Sequence, residues 1–129
     1  MKAILDTHAF IWWVTNDSRI TVNVRRIIAD SSNELFLSVA SCWEMIIKMQ
    51  LGKLTLTDNP ESFIPEQMLL NSIRGLPIQV SHALHVYKLP LHHKDPFDRL
   101  IISQSQIEKM PVITSDPLFK EYDLKIIWE

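Results

Sequence analysis

Four acids carry the most specific chemistry this sequence offers: Asp6, Glu44, Asp98 and Asp116. An all-oxygen ligand set selects hard divalent ions, Mg2+ or Mn2+. Such an ion suits hydrolysis of a phosphodiester bond, because it activates a water and neutralises charge developing on the phosphate. Whether one ion or two would bind stays open from the residues alone. Each acid also has an ordinary explanation. Asp6 stands where a strand-to-helix loop needs a cap, and Thr7 can share that work. Glu44 and Lys48 form the favoured i,i+4 surface pair, which alone reads as a solvated helix face. Asp95 precedes Pro96, the signature of a helix cap followed by the first helical residue. Asp98 then falls at the third helical position, where an acid suits the helix dipole. Asp116–Pro117 repeats the cap signature. The coincidence is what these explanations omit: acids gathered at one edge of a fold repel unless something cationic sits among them.

The elements that must gather them are short. Lys2 to Leu5 is an apolar run cut off by Asp6, which reads as a buried strand. A helix follows from Thr7 to Thr15 and another from Thr21 to Ala29. Glu34 to Val39 is strand-like, and Ser41 is positioned to cap the helix CWEMIIKMQL, which Gly52 stops. The segment KLTLT alternates as a short extended piece does. Asn59–Pro60–Glu61 starts a helix that Pro65 bends or restarts and Gly75 ends. Leu76 to Val80 is the third strand candidate. Ser81 caps a short helix through Tyr87, and the loop LPLHHK leads to the helix after Asp95. Strand PVIT, a short helix after Asp116 and a strand from Leu124 to Trp128 complete the chain. Strands that are apolar runs, separated by helices, predict an α/β fold. The expected architecture is a three-layer sandwich around a central parallel sheet of about five strands. Ligands bind such sheets at the carboxyl ends of the strands, the edge where Asp6, Glu44, Asp98 and Asp116 all fall.

Composition sets the outer bounds. The chain has 129 residues, 47% of them hydrophobic and 22% charged, which fits one domain spanning 1–129 with a substantial core. Its formal net charge of −2 excludes a surface that is cationic throughout. It leaves room for a nucleic-acid enzyme whose positive charge is supplied locally by an ion. Cys42 is the single cysteine, so neither an internal disulfide nor a thiolate zinc site can form. That usage suggests a reducing, cytoplasmic compartment. Asp6 interrupts the N-terminal apolar run and no small-residue cleavage site follows, so the start does not read as a signal peptide. No apolar run approaches the ~18 residues of a membrane span.

Among other candidates, Lys48 and Arg99 flank the acids and could neutralise them or bind phosphate. Thr7 could hold a water or an ion. His92, His93 and Lys94 could touch phosphate, or the two histidines a transition metal, but adjacent histidines point apart on an extended chain, so the segment reads first as a solvated loop and second as a nucleic-acid-facing one. His82 and His85 read as structural or surface residues, and Cys42 as a small buried one. His8 could serve as a general base, which metal activation of water makes unnecessary. Trp12, Trp13, Trp43 and Trp128 read as core or interface anchors rather than base-stacking platforms.

The segments ILDTHAFIW, LSVASCWEMIIKMQLGKL, LPLHHKDPFDRLIISQSQ and VITSDPLFKEY resemble, in that order, the PIN domain, and most nearly its VapC-like ribonuclease toxins. The resemblance implies that Asp6, Glu44, Asp98 and Asp116 are the acidic quartet, with Asp6 and Asp98 the firmest metal ligands and Asp95 outside it. It further implies Mg2+-dependent cleavage of an RNA substrate, a homodimer and a cognate small antitoxin. An antitoxin tail is expected to insert a basic residue towards Asp6 and Asp98. The dimer is expected to use N-terminal helices, where Trp12 and Trp13 would otherwise be exposed, and the 59–74 segment.

Two rival readings are weighed. A haloacid-dehalogenase-type phosphatase also places an Asp after its first strand, but needs a second acid two residues on, where this chain has His8. A non-enzymatic acidic α/β regulator would bind a partner protein, and its acids would tolerate amide replacement.

Overall fold

A computed structural model describes residues 1–129. The strands are β1 (Lys2–Leu5), β2 (Glu34–Ser38), β3 (Ile73–Leu76), β4 (Val112–Ile113) and β5 (Ile126–Ile127). The helices are α1 (Thr7–Val14), α2 (Val22–Ala29), α3 (Val39–Gln50), α4 (Pro60–Leu70), α5 (Val80–His85) and α6 (Pro96–Glu108), with 3-10 turns at Val86–Lys88 and Pro117–Glu121. All five strands are parallel, in the order β3-β2-β1-β4-β5. The chain winds outward from β1 through β2 to β3, then returns to place β4 on the other side of β1. The order therefore reverses between β1 and β4, the place beyond whose strand ends open parallel sheets bind ligands.

The period of two along each strand divides the core. Ala3 and Leu5 of β1, Leu35 and Leu37 of β2 and Ile113 of β4 face one layer, with Phe10, Val24, Ile28, Met45 and Ile64. Ile4 and Val112 face the other, with Leu89, Ile101, Ile102 and Phe119. Both faces are covered, which explains why the strands read as continuous apolar runs.

Four local expectations change. The third strand is Ile73–Leu76 rather than Leu76–Val80. Ser72, at φ 54°, breaks α4 before Gly75 does, freeing Ile73 to pair with Leu35. Pro77 lacks an N–H for the ladder and ends the strand. Helix α3 begins at Val39, capped by Ser38, whose Oγ accepts from Ala40 N at 3.0 Å. Ser41 is thus inside the helix and buried. Segment KLTLT forms no strand; Leu54 and Leu56 instead pack half-buried against the core. Helix α5 is capped from Gln79, not Ser81: Gln79 N donates to His82 Nδ1 at 2.9 Å.

Three of the tryptophans anchor the core as expected: Trp12, Trp13 and Trp128 pack half-buried against it. Trp12 packs edge-on to Trp128 beneath the Arg19 guanidinium, and Trp13 donates to Asn71 Oδ1 at 2.9 Å, so both are half-buried and engaged within the chain rather than fully exposed. Trp43, by contrast, is 59% exposed. No helix is long and apolar enough to cross a membrane.

Candidate metal centre

Asp6 leaves the end of β1 and caps α1: its Oδ1 accepts from Ala9 N at 2.7 Å. Its Oδ2 accepts from the hydroxyl of Thr114, the residue after β4. Leu5 is paired with Ile113, so this contact follows from the register. The Thr114 hydroxyl also accepts from Asp116 N at 3.0 Å and so joins the two strand ends. Burial pushes the Asp6 pKa up to about 6, against the lowering effect of these hydrogen bonds.

Asp98 is held by the start of α6. Asp95 Oδ1 accepts from Phe97 N at 2.8 Å and Asp98 N at 3.1 Å, so Asp95 is the cap its sequence announces. The Asp98 pKa is pushed up to about 8, first by burial and then by the charges of Asp95, Glu44, Asp6 and Asp116. All four of the other local acids act on this one carboxyl, which makes Asp98 the electrostatic focus of the cluster.

Glu44 lies on the buried side of α3 and is 3% exposed. It accepts from the Thr7 hydroxyl at 2.8 Å and lies 2.9 Å from Lys48 Nζ. The pair is therefore not the solvated helix face that spacing alone suggests. The Lys48 ammonium is opposed by burial. The hydrogen bond to Glu44 and the charges of Glu44, Asp95 and Asp98 outweigh that and raise its pKa. Thr7, itself buried, lies 2.9 Å from Ser41 Oγ and so ties α1 to α3.

Asp116 works twice. Its Oδ1 accepts from Leu118 N at 2.9 Å, as the cap–Pro signature predicts, while its Oδ2 accepts from His93 Nε2 at 3.0 Å. The same Nε2 lies 3.0 Å from Asp98 Oδ2. His93, Asp98 and Asp116 present ligand-type atoms within 4.8 Å of one another. Asp6 and Glu44 stand outside that tight group, joined to it through Thr114 and through their charge on Asp98.

Two residues of the site are not among the sequence candidates for it. His93 is buried, not part of a solvated loop, whereas His92 and Lys94 on either side are exposed. The signal was weak: a histidine two residues before a helix cap can accept that cap's N–H, and here Asp95 N donates to His93 Nδ1 at 3.3 Å. Thr114 was legible only through strand register. Arg99 turns away from the acids. Its guanidinium donates to the carbonyls of Val86, Leu89, Pro90 and His93, so it supports the loop that carries His93. His8 is exposed and rests against Trp12.

The donor set suits a hard divalent cation. Several carboxylates converge beyond the strand ends, and burial together with their charges pushes the Asp98 pKa up to about 8. Lys48 is the nearby cation and is engaged by Glu44.

A PIN domain family model matches residues 3–125. The chain belongs to the PIN domain family. It is 34% identical over 61 residues to Ribonuclease VapC16 of Mycobacterium tuberculosis, a match covering 47% of this chain and 43% of that protein. The chain thus spans less than half the length of that curated relative. Its fold is also that of a chain in VapBC2 from Rickettsia felis bound to a promoter DNA fragment, with TM-score 0.73, 16% identity and full coverage of both chains. A chain of DNA-bound VapBC from Salmonella typhimurium gives TM-score 0.70 at 18% identity, covering 98% of this PIN domain and 97% of that chain.

Proposed function

We propose that this PIN domain is a metal-dependent endoribonuclease acting as the toxin of a toxin–antitoxin pair. The observation that carries the reading is the meeting of Asp98, Asp116 and His93 within 4.8 Å, with Asp6 tied to Asp116 through Thr114, at the point where the strand order reverses. Likeness to a VapC ribonuclease and to chains of VapBC complexes supports it. Asp6 and Asp98 would ligate Mg2+, or Mn2+ in its place, with Glu44 and Asp116 ligating directly or through water. When bound, the ion supplies Lewis acidity and a polarised water for attack on an RNA phosphodiester. The chain's own residues hold that arrangement. Thr114 orients Asp6, Thr7 orients Glu44, and Lys48 balances the Glu44 charge. A phosphatase of the haloacid-dehalogenase kind is disfavoured, because the position two residues after Asp6 is an exposed histidine.

The partner would be a cognate antitoxin made in the same cytoplasm. Its basic residue would approach Asp6 and Asp98, and its apolar helix would lie in the groove lined by Cys42, Ile46, Ile64, Pro65 and Met68. A homodimer is proposed with it. Since Trp12 and Trp13 are engaged internally, its apolar surface would come from Leu69 and Leu70 on α4, 83% and 76% exposed.

Induced expression of the parent and of Asp98→Asn, followed by sequencing of cellular RNA ends, tests the reading. New RNA ends and growth arrest with the parent, absent with Asp98→Asn, are expected. Equal arrest without new RNA ends would favour the non-enzymatic regulator.

A further inference from the structure

We propose that His93 is a positioning residue for the metal-binding carboxylates, acting as a hydrogen-bond donor between Asp116 and Asp98 rather than as a ligand. The assignment rests on the metal-nuclease reading above and concerns a side chain outside the acidic quartet.

The ring's tautomer is set by the backbone. Asp95 N donates to Nδ1, so Nδ1 carries the lone pair and Nε2 carries the proton. That Nε2–H is bonded to Asp116 Oδ2 and lies equally close, at 3.0 Å, to Asp98 Oδ2. A nitrogen bearing a proton cannot coordinate a cation. Ligation by Nε2 would require the other tautomer and would break the bond from Asp95 N, the residue that also caps α6.

The ring is not free to choose. Phe119 packs edge-on to it, with centroids 5.8 Å apart and planes at 87°. Its backbone N donates to Tyr122 Oη at 2.8 Å, and Tyr122 Oη donates to Pro90 O at 2.7 Å. Arg99 fastens the same loop through four carbonyls. The fold therefore fixes one donor at the point where carboxylates from two separate elements, α6 and the turn after β4, must meet. Donors of this kind around a metal site orient the ligands, and losing one typically weakens metal affinity 10–100-fold.

Two substitutions divide the ring's functions. His93→Asn keeps an acceptor near the Nδ1 position for Asp95 N but stops short of the carboxylates. His93→Gln places an amide N–H near the Nε2 position. Mn2+ binding is read by the loss of the free-ion electron paramagnetic resonance signal, and Mg2+ binding by competition against it, with circular dichroism confirming the fold. His93→Asn is expected to weaken both ions by the same factor, about 10–100-fold, and His93→Gln to stay within a few-fold of the parent. Parent-like affinity in folded His93→Asn would overturn the proposal. So would a loss confined to Mn2+, which would mark the imidazole as a ligand, or a folded His93→Gln as impaired as loss of the donor predicts. That last comparison decides the matter if His93→Asn does not fold. A parent that binds neither ion would bring down the metal reading itself, an outcome distinct from any of these.

Discussion

Replacing Asp98 by Asn should stabilise the metal-free protein while removing a ligand. In an unfolded chain this carboxyl ionises near its ordinary value of 3.8, whereas the fold holds its proton up to about 8. Between those values the native state binds the extra proton, so stability falls as pH rises. Below pH 4 the group costs nothing, and above pH 8 the cost is complete. At pH 7 the difference amounts to as much as about 4 kcal/mol, at 1.36 kcal/mol per pH unit. Asparagine keeps the shape and an acceptor for His93 but carries no charge. For a domain of this size each kcal/mol moves Tm by roughly 4 °C. Thermal melts in chelator should therefore show Asp98→Asn higher by up to roughly 15 °C at pH 7, with the gain gone by pH 4. Equal or lower stability at pH 7, or an equal gain at both pH values, would refute the argument that burial and crowded charge raise this group.

Adding Mg2+ to the parent should reverse part of that cost. The ion must displace protons, so the Tm rise should be larger at pH 8 than at pH 6 and absent in Asp98→Asn. Asp95→Ala should cost about 1 kcal/mol in denaturant melts through loss of the α6 cap, with RNA cleavage largely kept. Thr114→Val removes the hydroxyl between Asp6 and Asp116 and should weaken Mn2+ binding about 10-fold, read by calorimetry. Tyr122→Phe should destabilise the fold by about 1–3 kcal/mol, because the hydroxyl serves both His93 N and Pro90 O, and denaturant melts give the value.

Much of this architecture was legible because its signals are local. Asp95–Pro96 and Asp116–Pro117 announce caps, and both carboxylates do cap. The apolar runs at Lys2–Leu5 and Glu34–Ser38 announce strands buried on both faces. The convergence of acids followed from the rule that parallel sheets bind at their carboxyl ends. What escaped depends on contacts distant in sequence or on competing stops. The third strand was misplaced because a single left-handed residue, Ser72, ends α4 where composition pointed to Gly75. His93 looked solvated among polar neighbours because its burial is created by Phe119 and Tyr122, far along the chain. Arg99 looked like a counter-charge, yet its guanidinium donates to four carbonyls of the loop beside it. Glu44 and Lys48 matched a surface pattern by spacing, and the packing of α1 on α3, through Thr7, draws the pair inward.

The central claim is that clustered carboxylates hold a divalent ion that cleaves RNA. Purified protein, incubated with a defined single-stranded RNA in Mg2+, in Mn2+ and in chelator, tests it alongside Asp6→Asn. Cleavage by the parent in either ion, lost in chelator and lost in folded Asp6→Asn, is the predicted result. Undiminished cleavage by Asp6→Asn, or cleavage that persists in chelator, would contradict it.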